Sequence, residues 1–332
     1  MAKEGGVEFI PANVNNYPRI GDSPEKQKLR KSIAALDRGE ITLEDLKKVQ
    51  DEVTREVILE QADAGIKLVT DGQIRWDDAQ TYIARALKGV RITGLVRYFD
   101  TNTYFRQPLV EAPIEWQKPI LVDDYKFAAS VSPVPVKAVV TGPYTLARLS
   151  LDEYYKDPVK LTEAYAAAIR QELEALYQAG ARVVQVDEPA LVRYPDLADE
   201  ALRVLAGALD VERPEDTELG LLVFWESLGE RLPAVLDLPI DFLGVDLVAG
   251  DQDRALLEKG VDLKGKKLAL GLIDGRNTKL ENPADVAEYA RRLAEANGLS
   301  SGYIQPNCGL ELLPRDVARR KLEIVAETSR LM

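Results

Sequence analysis

The sequence predicts an α/β protein that folds as a (β/α)8 barrel, and three observations support this prediction. Eight short apolar runs rich in β-branched residues recur along the 332 residues of the chain. Each run is continuously apolar, as expected for strands that are buried on both faces. Helical stretches separate the runs, and strands that alternate with helices form parallel sheets. The predicted strands are 9–14, 67–70, 136–141, 183–186, 221–224, 243–248, 268–273 and 302–305.

The helices between these runs have recognisable boundaries. Thr42, followed three residues later by Asp45, is a capping-box variant that predicts a helix ending near Gly65. The N–H groups of the first turn have no partner within a helix, so proline, which lacks an N–H, is tolerated there. Prolines therefore indicate where helices begin. Three further helices are predicted to begin at Pro158, Pro283 and Pro314.

One segment departs from the alternation of strands and helices. Residues 91–130 are rich in Tyr, Phe, Val and Thr, with Gly94, Asn102 and Pro108 as breakers. This pattern predicts a β-hairpin inserted after the second strand and lying over one mouth of the barrel. No linker or repeat divides the chain, so we expect residues 1–332 to form a single barrel domain.

Composition excludes several classes of function. The chain has 43 Lys plus Arg against 55 Asp plus Glu, a net charge of -12, which argues against binding to nucleic acid. No apolar run approaches the roughly 20 residues that a membrane helix needs. With one cysteine and no apparent leader, the chain is expected to be cytoplasmic. Because it has no histidine, a serine–histidine triad is excluded, and a metal site would depend on carboxylates.

In barrels of this type, the active site lies at the carboxyl ends of the strands. Polar residues cluster directly after the predicted runs and are the candidate site residues. Asp187 and Glu188 stand out, because two carboxylates leave a buried strand together; each residue could instead cap a strand end or a helix. The full set is Asn15, Asn16, Asp71, Gln73, Thr141, Asp187, Glu188, Glu226, Asp246, Asp274, Arg276, Asn307 and Cys308.

Cys308 follows the eighth predicted strand. A lone cysteine is more often a small buried apolar residue than a nucleophile, and here no histidine is present to activate it. A thiolate bound to a metal needs no base, because the cation itself displaces the proton. Cys308 is therefore a candidate metal ligand.

Five strings of residues resemble the cobalamin-independent methionine synthase family, in its single-barrel core form. They are Asn-Tyr-Pro-Arg-Ile-Gly at 16–21, Val-Thr-Asp-Gly-Gln at 69–73, Val-Thr-Gly-Pro-Tyr-Thr at 140–145, Gln-Val-Asp-Glu-Pro-Ala-Leu at 185–191 and Pro-Asn-Cys-Gly-Leu at 306–310. Their order and spacing agree with the family over nearly the whole chain. The resemblance implies transfer of a methyl group to an amino-acid thiol such as homocysteine, from a folate or a corrinoid protein.

The resemblance also assigns roles to the candidate residues. Asp187 matches the family's aspartate for the amino group of the substrate, and Gln73 stands where the family has a glutamate. With these roles, we expect Asn15, Asn16, Asp71, Gln73, Thr141 and Asp187 to bind substrate. The candidate catalytic carboxylates are Asp187, Glu188 and Asp274.

The family binds zinc through a histidine and a cysteine after the fifth strand, a glutamate after the sixth, and the cysteine of the Asn-Cys-Gly string. Carried over, the first two positions fall on Phe224 and Glu226, the third falls on or beside Asp246, and the last is Cys308. Phenylalanine cannot bind zinc, so the sequence leaves Glu226, Asp246 and Cys308 as candidate zinc ligands. The alternative is that these carboxylates recognise a cationic substrate.

Two other positions depart from the family. Leu149 aligns with the tryptophan that packs on the folate, and the catalytic histidine falls near Gly275 and Arg276. Alternative functions are a metal-free enzyme resembling the uroporphyrinogen decarboxylase branch, which uses carboxylates and arginines, and a two-carboxylate glycosidase with Glu188 and Glu226. A binding homologue that has lost the chemistry is a further alternative.

Overall fold

The computed structural model describes residues 7–21, 23–99, 101 and 103–332. The strands of this part of the chain are β1 (Glu8–Pro11), β2 (Lys88–Arg97), β3 (Tyr104–Glu115), β4 (Lys137–Thr141), β5 (Leu151–Asp152), β6 (Val183–Asp187), β7 (Glu218–Leu222), β8 (Phe242–Asp246), β9 (Lys267–Ile273) and β10 (Ser301–Pro306). Its α-helices are α1 (Lys28–Asp37), α2 (Leu43–Asp63), α3 (Thr81–Arg85), α4 (Val122–Val131), α5 (Pro143–Leu149), α6 (Pro158–Gln178), α7 (Ala190–Arg193), α8 (Ala198–Leu209), α9 (Leu232–Val235), α10 (Asp251–Lys259), α11 (Pro283–Ala296) and α12 (Arg315–Leu331).

Seven parallel strands form the barrel, in the order β1-β10-β9-β8-β7-β6-β4. The eighth position is the extended segment 67–69, which bridges both edges of this sheet through the pairs Ala12–Leu68 and Val69–Val136. The main chain closes the ring there, since the Lys137 N–H donates to the Val69 carbonyl at 2.8 Å. The predicted (β/α)8 barrel is confirmed.

The second predicted strand, 67–70, is not a regular strand, and a side chain is the reason. The N–H of Thr70 donates to Oε1 of Gln61, and Nε2 of Gln61 donates to the Thr70 carbonyl, both at 3.0 Å. Gln61 belongs to α2 and is completely buried. It therefore takes the main-chain hydrogen bonds at Thr70 that a neighbouring strand would otherwise make.

The predicted helix boundaries are confirmed. Thr42 caps α2 in a capping box, with the Asp45 N–H donating to Oγ1 of Thr42 and the Thr42 N–H donating to the Asp45 carboxylate. Pro158 and Pro283 are the first residues of α6 and α11, and Pro314 directly precedes α12. None of the helices in the described residues is long and apolar enough to cross a membrane.

The inserted hairpin consists of β2 and β3, which pair antiparallel. It extends from residue 88 to 115, so the second half of the predicted segment 91–130 is helical instead: residues 122–131 form α4. Glu172 of α6 accepts hydrogen bonds from the N–H groups of Ile120 and Leu121, which fixes the chain immediately before α4. The predicted breaker Asn102 lies outside the described residues.

Candidate active site

A cavity of about 480 Å³ lies at the carboxyl ends of the barrel strands, beneath the tip of the hairpin. The barrel contributes polar residues to one wall and aromatic residues to the other, and the hairpin covers the opening. The residues that line it and enter the argument are Asn15, Asn16, Gln73, Tyr98, Thr101, Thr103, Thr141, Asp187, Phe224, Trp225, Arg276, Cys308 and Glu311.

Asp187 is the buried carboxylate of this cavity. It is the last residue of β6 and is 7% exposed. Oδ2 accepts a hydrogen bond from Nδ2 of Asn15 at 2.8 Å, and Oδ1 accepts one from Nε2 of Gln185 at 2.7 Å. Desolvation raises the pKa of Asp187 to about 6, although these two amides and the charge of Lys137 lower it. A buried carboxylate held by side-chain amides and facing a cavity is suited to bind a cation.

The loops after the first two barrel strands form the rest of the polar wall. The Asn16 N–H donates to Oδ1 of Asn15 at 2.8 Å, whereas Oδ1 of Asn16 is buried without a hydrogen-bond partner. That oxygen lies directly against Gly309, where a β-carbon would collide with it. Gln73 lines the cavity from a backbone with φ of 53°. The wall thus offers an unused oxygen acceptor in addition to Asp187.

Aromatic side chains form the opposite wall and attach the hairpin to the barrel. The ring centroid of Tyr98 lies 5.3 Å from that of Trp225, and the ring of Phe99 lies 5.6 Å from it. Phe224 packs edge-to-face on Trp225 at 5.0 Å. Such contacts add to the apolar area that the hairpin buries, so the cover is held over the cavity.

Cys308 and Arg276 lie beside this aromatic wall. Cys308 packs with Val14, Leu222 and Phe224, and burial raises the pKa of its thiol well above the usual value. The guanidinium carbon of Arg276 lies 5.6 Å from the ring centroid of Trp225. Among the described residues, Arg276 is the cation that lines the cavity.

The candidate zinc ligand Asp246 is already fully bonded. Its Oδ1 accepts from the N–H groups of Val248 and Ala249 at 2.9 and 2.8 Å, and its Oδ2 accepts from the Trp225 N–H at 2.8 Å. Nδ2 of Asn307 donates to both oxygens at 3.0 Å. A zinc ion bound here would have to displace several of these hydrogen bonds.

The other two candidate ligands do not complete a metal site. Glu226 is exposed and forms an ion pair with Arg193, and it does not line the cavity. Burial disfavours the thiolate form of Cys308, which is the form that binds zinc. Within the described ranges, no three His, Cys, Asp or Glu side chains are grouped as a metal ion would require. Glu226, Asp246 and Cys308, as arranged here, do not fit zinc.

Two more of the predicted site residues, Asp71 and Asp274, lie outside the cavity. Asp71 accepts from the Gln73 N–H at 2.9 Å, and its charge acts on Asp124 and Tyr82 in the helical layer. Asp274 accepts from the Arg276 N–H at 2.8 Å and so shapes its own loop. Thr141 does line the cavity, although its hydroxyl donates to a main-chain carbonyl, that of Ala79, at 2.7 Å.

Glu188 is completely buried and lies behind the cavity wall. Its carboxylate accepts from the N–H groups of Tyr144 and Thr145 at 2.9 and 2.8 Å and from the Thr145 hydroxyl at 2.6 Å. Gly142 has no side chain, and a β-carbon there would collide with Glu188. Glu188 therefore fixes the start of α5 and is not available to a ligand in the cavity.

We expect Glu188→Ala to lower the free energy of unfolding by about 3 kcal/mol, because it leaves buried N–H donors without an acceptor. Urea denaturation measures this loss. Glu188→Gln retains one acceptor oxygen and serves as the matched control, with a smaller loss. An unfolding free energy unchanged in Glu188→Ala would contradict this role.

Some residues that line the cavity do not directly follow a barrel strand, so inspection of the strand ends in the sequence does not identify them. Tyr98, Thr101 and Thr103 come from the tip of the hairpin, and Glu311 follows the Asn-Cys-Gly-Leu string by one residue. The aromatic and threonine content around residues 98–105 is the signal that could have indicated them.

Comparison with known proteins relates the chain to one family. The family model described as "Cobalamin-independent synthase, Catalytic domain" matches residues 17–330. Methionine synthase of Sulfurisphaera tokodaii is 32% identical over 304 residues, which cover 91% of this chain and 88% of the relative. Methionine synthase of Saccharolobus solfataricus is 32% identical over 316 residues, with 94% and 93% covered.

A solved structure supports the same fold. The B12-independent methionine synthase from a Shewanella species, in complex with selenomethionine, superposes with a TM-score of 0.81 at 23% identity and covers 97% of both chains. From the family match and the two relatives, the chain belongs to the cobalamin-independent methionine synthase family.

Proposed function

We propose that the chain is a methyltransferase whose acceptor is the thiol of an amino acid such as homocysteine. The observation that carries this proposal is Asp187, a buried carboxylate with two amide partners that faces a cavity of about 480 Å³. A cavity of this size holds an amino acid with space for a reacting methyl group. The family supports a sulfur-containing amino acid as the ligand.

The polar wall recognises the amino group of the acceptor. Asp187 supplies the charge, because its carboxylate lines the cavity. An ammonium group donates hydrogen bonds and carries the opposite charge, so it is the group that this carboxylate is suited to bind. The amino acid is thereby oriented with its side chain towards the aromatic wall.

The aromatic wall receives the sulfur. Phe224, Trp225 and Cys308 supply apolar and polarisable surface, which suits a sulfur-containing chain. Arg276 lies beside Trp225 and stabilises negative charge as it develops on sulfur. In this proposal, the positive charge of Arg276 stabilises the thiolate form of the acceptor.

The reaction requires a proton acceptor as well as a methyl donor. We assign the proton of the thiol to Glu311, a second carboxylate that lines the cavity. The sulfur then attacks the methyl carbon, the bond between the methyl group and the donor breaks, and the donor leaves with that electron pair. No step passes through zinc, since the candidate zinc ligands do not fit it.

The donor assigned in this proposal is a methyl corrinoid and not a folate. Leu149, at the position of the tryptophan that packs on folate in the family, is buried and does not line the cavity. It therefore offers no ring on which a folate could stack. A corrinoid held by a partner protein would deliver its methyl group through the mouth of the cavity.

A second candidate function is amino-acid binding without methyl transfer. The specific observation in its favour is that Phe224 occupies a zinc-ligand position of the family and Trp225, next to it, packs against the hairpin. In that case the cavity would bind an amino acid such as methionine, and no methyl group would move.

One assay separates these functions. Purified protein is incubated with L-homocysteine and either methylcobalamin or 5-methyltetrahydrofolate, and methionine is measured by mass spectrometry. We expect methionine with methylcobalamin, at a rate reduced at least about tenfold in Arg276→Ala because the thiolate loses its cation. Binding of homocysteine or methionine without turnover would favour the binding homologue, and absence of both would overturn the proposal.

A further inference from the structure

Lys137 is a buried cation inside the barrel that the proposed function does not use. It is the first residue of β4, is 2% exposed, and points into the barrel below the cavity, on the same side of the strand as Thr141. Its Nζ donates to Oε1 of Gln185 at 2.6 Å and to Oε1 of Gln305 at 3.4 Å. Both of these partners are neutral amides. A desolvated ammonium held this way is costly unless a negative charge compensates it nearby.

Gln185 connects this ammonium to the cavity. Its Oε1 accepts from Lys137, and its Nε2 donates both to Oδ1 of Asp187 at 2.7 Å and to the Val14 carbonyl at 3.0 Å. Lysine can only donate hydrogen bonds, so it determines which end of the Gln185 amide faces it. The NH2 group must then face Asp187, and the carboxylate is held by a donor on each oxygen.

We propose that Lys137 is a positioning residue: through Gln185 it orients the Asp187 carboxylate and keeps it charged for the amino group of the ligand. This inference rests on the proposed function for the identity of the ligand. Burial lowers the pKa of Lys137 to about 7, and its charge lowers the pKa of Asp187. The two groups thus stabilise each other's charged forms across a distance bridged by one amide.

Other groups also face this pair. Asp187 raises the pKa of Glu188, its neighbour in sequence, and of Tyr98 from the hairpin. Both are uncharged where Asp187 ionises, because the pKa of Glu188 is raised to about 7 and that of Tyr98 well above its usual value, so Lys137 is the charge that acts on Asp187. Loss of the Lys137 charge should therefore raise the pKa of Asp187 and shift ligand binding to higher pH.

The test compares the wild type with Lys137→Met and Gln305→Leu. Methionine closely matches the lysine side chain without its charge, and replacing a buried charge by an apolar group is often tolerated. Gln305→Leu removes the other amide partner of Lys137 and leaves Gln185 and Asp187 intact, so it is the matched control. Affinity for L-methionine is measured by calorimetry between about pH 5 and pH 9.

The acid limb of binding is the pH range in which affinity falls on acidification. We expect it to move up by about one pH unit in Lys137→Met, with affinity at pH 6 about fivefold weaker. Gln305→Leu should leave the limb in place. An unmoved limb in Lys137→Met would overturn the proposal. If Lys137→Met does not fold, Lys137→Gln removes the same charge, keeps a donor for Gln185 and should shift the limb in the same direction.

A second measurement separates this proposal from the proposed function. The carboxyl carbon of Asp187 is titrated by NMR in protein labelled at aspartate, with Asp187→Asn to assign the signal. If the wild type binds no amino acid, the proposed function fails, and the Asp187 titration still decides the role of Lys137. A pKa of Asp187 that is equal in wild type and Lys137→Met would overturn it.

Discussion

Asp187→Asn is expected to weaken the binding of L-homocysteine and L-methionine at least about 100-fold near pH 7.5. The substitution keeps the shape of the side chain but removes the buried charge that faces the ligand ammonium. A charge-assisted hydrogen bond contributes about 1.5–3 kcal/mol, and a 100-fold loss corresponds to about 2.7 kcal/mol. Calorimetry measures the affinity directly, so the result does not depend on a methyl donor.

Glu188→Gln is the matched control for this substitution. It makes the same change of charge one residue along the chain, but Glu188 bonds to the start of α5 and does not line the cavity. We expect its affinity to change less than about threefold. Equal losses in the two variants would mean that the effect comes from the fold and not from a direct contact with the ligand.

The pH dependence gives a second readout of Asp187. Because desolvation raises its pKa to about 6, wild-type affinity should fall as the pH drops through that value, while the ligand ammonium stays protonated. This acid limb should be absent in Asp187→Asn. A limb that persists in the variant would assign the titration to another group.

The raised pKa of Asp187 also makes stability depend on pH. The folded-state pKa of Asp187 exceeds the unfolded value near 3.9, so the native state binds more protons across this window. Stability is then lost as the pH rises from about 4 to 6. Urea denaturation should show this loss in the wild type and not in Asp187→Asn, which has no carboxyl group to titrate.

Restoring two zinc ligands is expected to create a metal site. In Phe224→His with Glu226→Cys, an imidazole and a second thiolate join Cys308, and these three ligands compensate for the hydrogen bonds that Asp246 gives up to become the fourth. Two sulfurs, one nitrogen and one oxygen form a donor set that suits tetrahedral zinc. After incubation with zinc and dialysis, we expect about one zinc per chain in this variant and less than about 0.1 in the wild type, measured by elemental mass spectrometry.

Two controls define this result. Phe224→Leu with Glu226→Ala removes the same ring and the same ion pair with Arg193 without adding ligands, and should stay free of zinc. Cys308→Ser in the restored variant should lose the metal. Near-stoichiometric zinc in the wild type that disappears in Cys308→Ser would contradict our description, because it would require Asp246 to exchange its hydrogen bonds for the ion.

Strand and helix positions follow closely from sequence because local signals determine them. Thr42 and Pro158 mark helix starts in any fold, and continuously apolar runs mark buried strands. One exception, residues 67–70, depends on Gln61, which lies in a helix and carries no signal that it replaces a strand partner.

Site residues were harder to predict than elements. A position after a strand places a side chain near the mouth of the barrel but does not determine its direction. Asp187 faces the cavity, while Glu226 reaches outwards to Arg193 and Asp246 bonds to the main chain. Lys137 escapes this reasoning because it stands at the start of its strand, at the opposite end from the predicted site, and acts through Gln185.

The irregular eighth position of the barrel has a consequence for where the ring is weakest. Segment 67–69 is joined to β1 and β4 by isolated bridges, so this is the seam of the ring with the shortest strand pairing. Opening the ring here breaks fewer ladder hydrogen bonds than opening it between two regular strands. Local unfolding of the ring is therefore expected to begin at this seam, and its main-chain amides should exchange with solvent sooner than those of the regular strands.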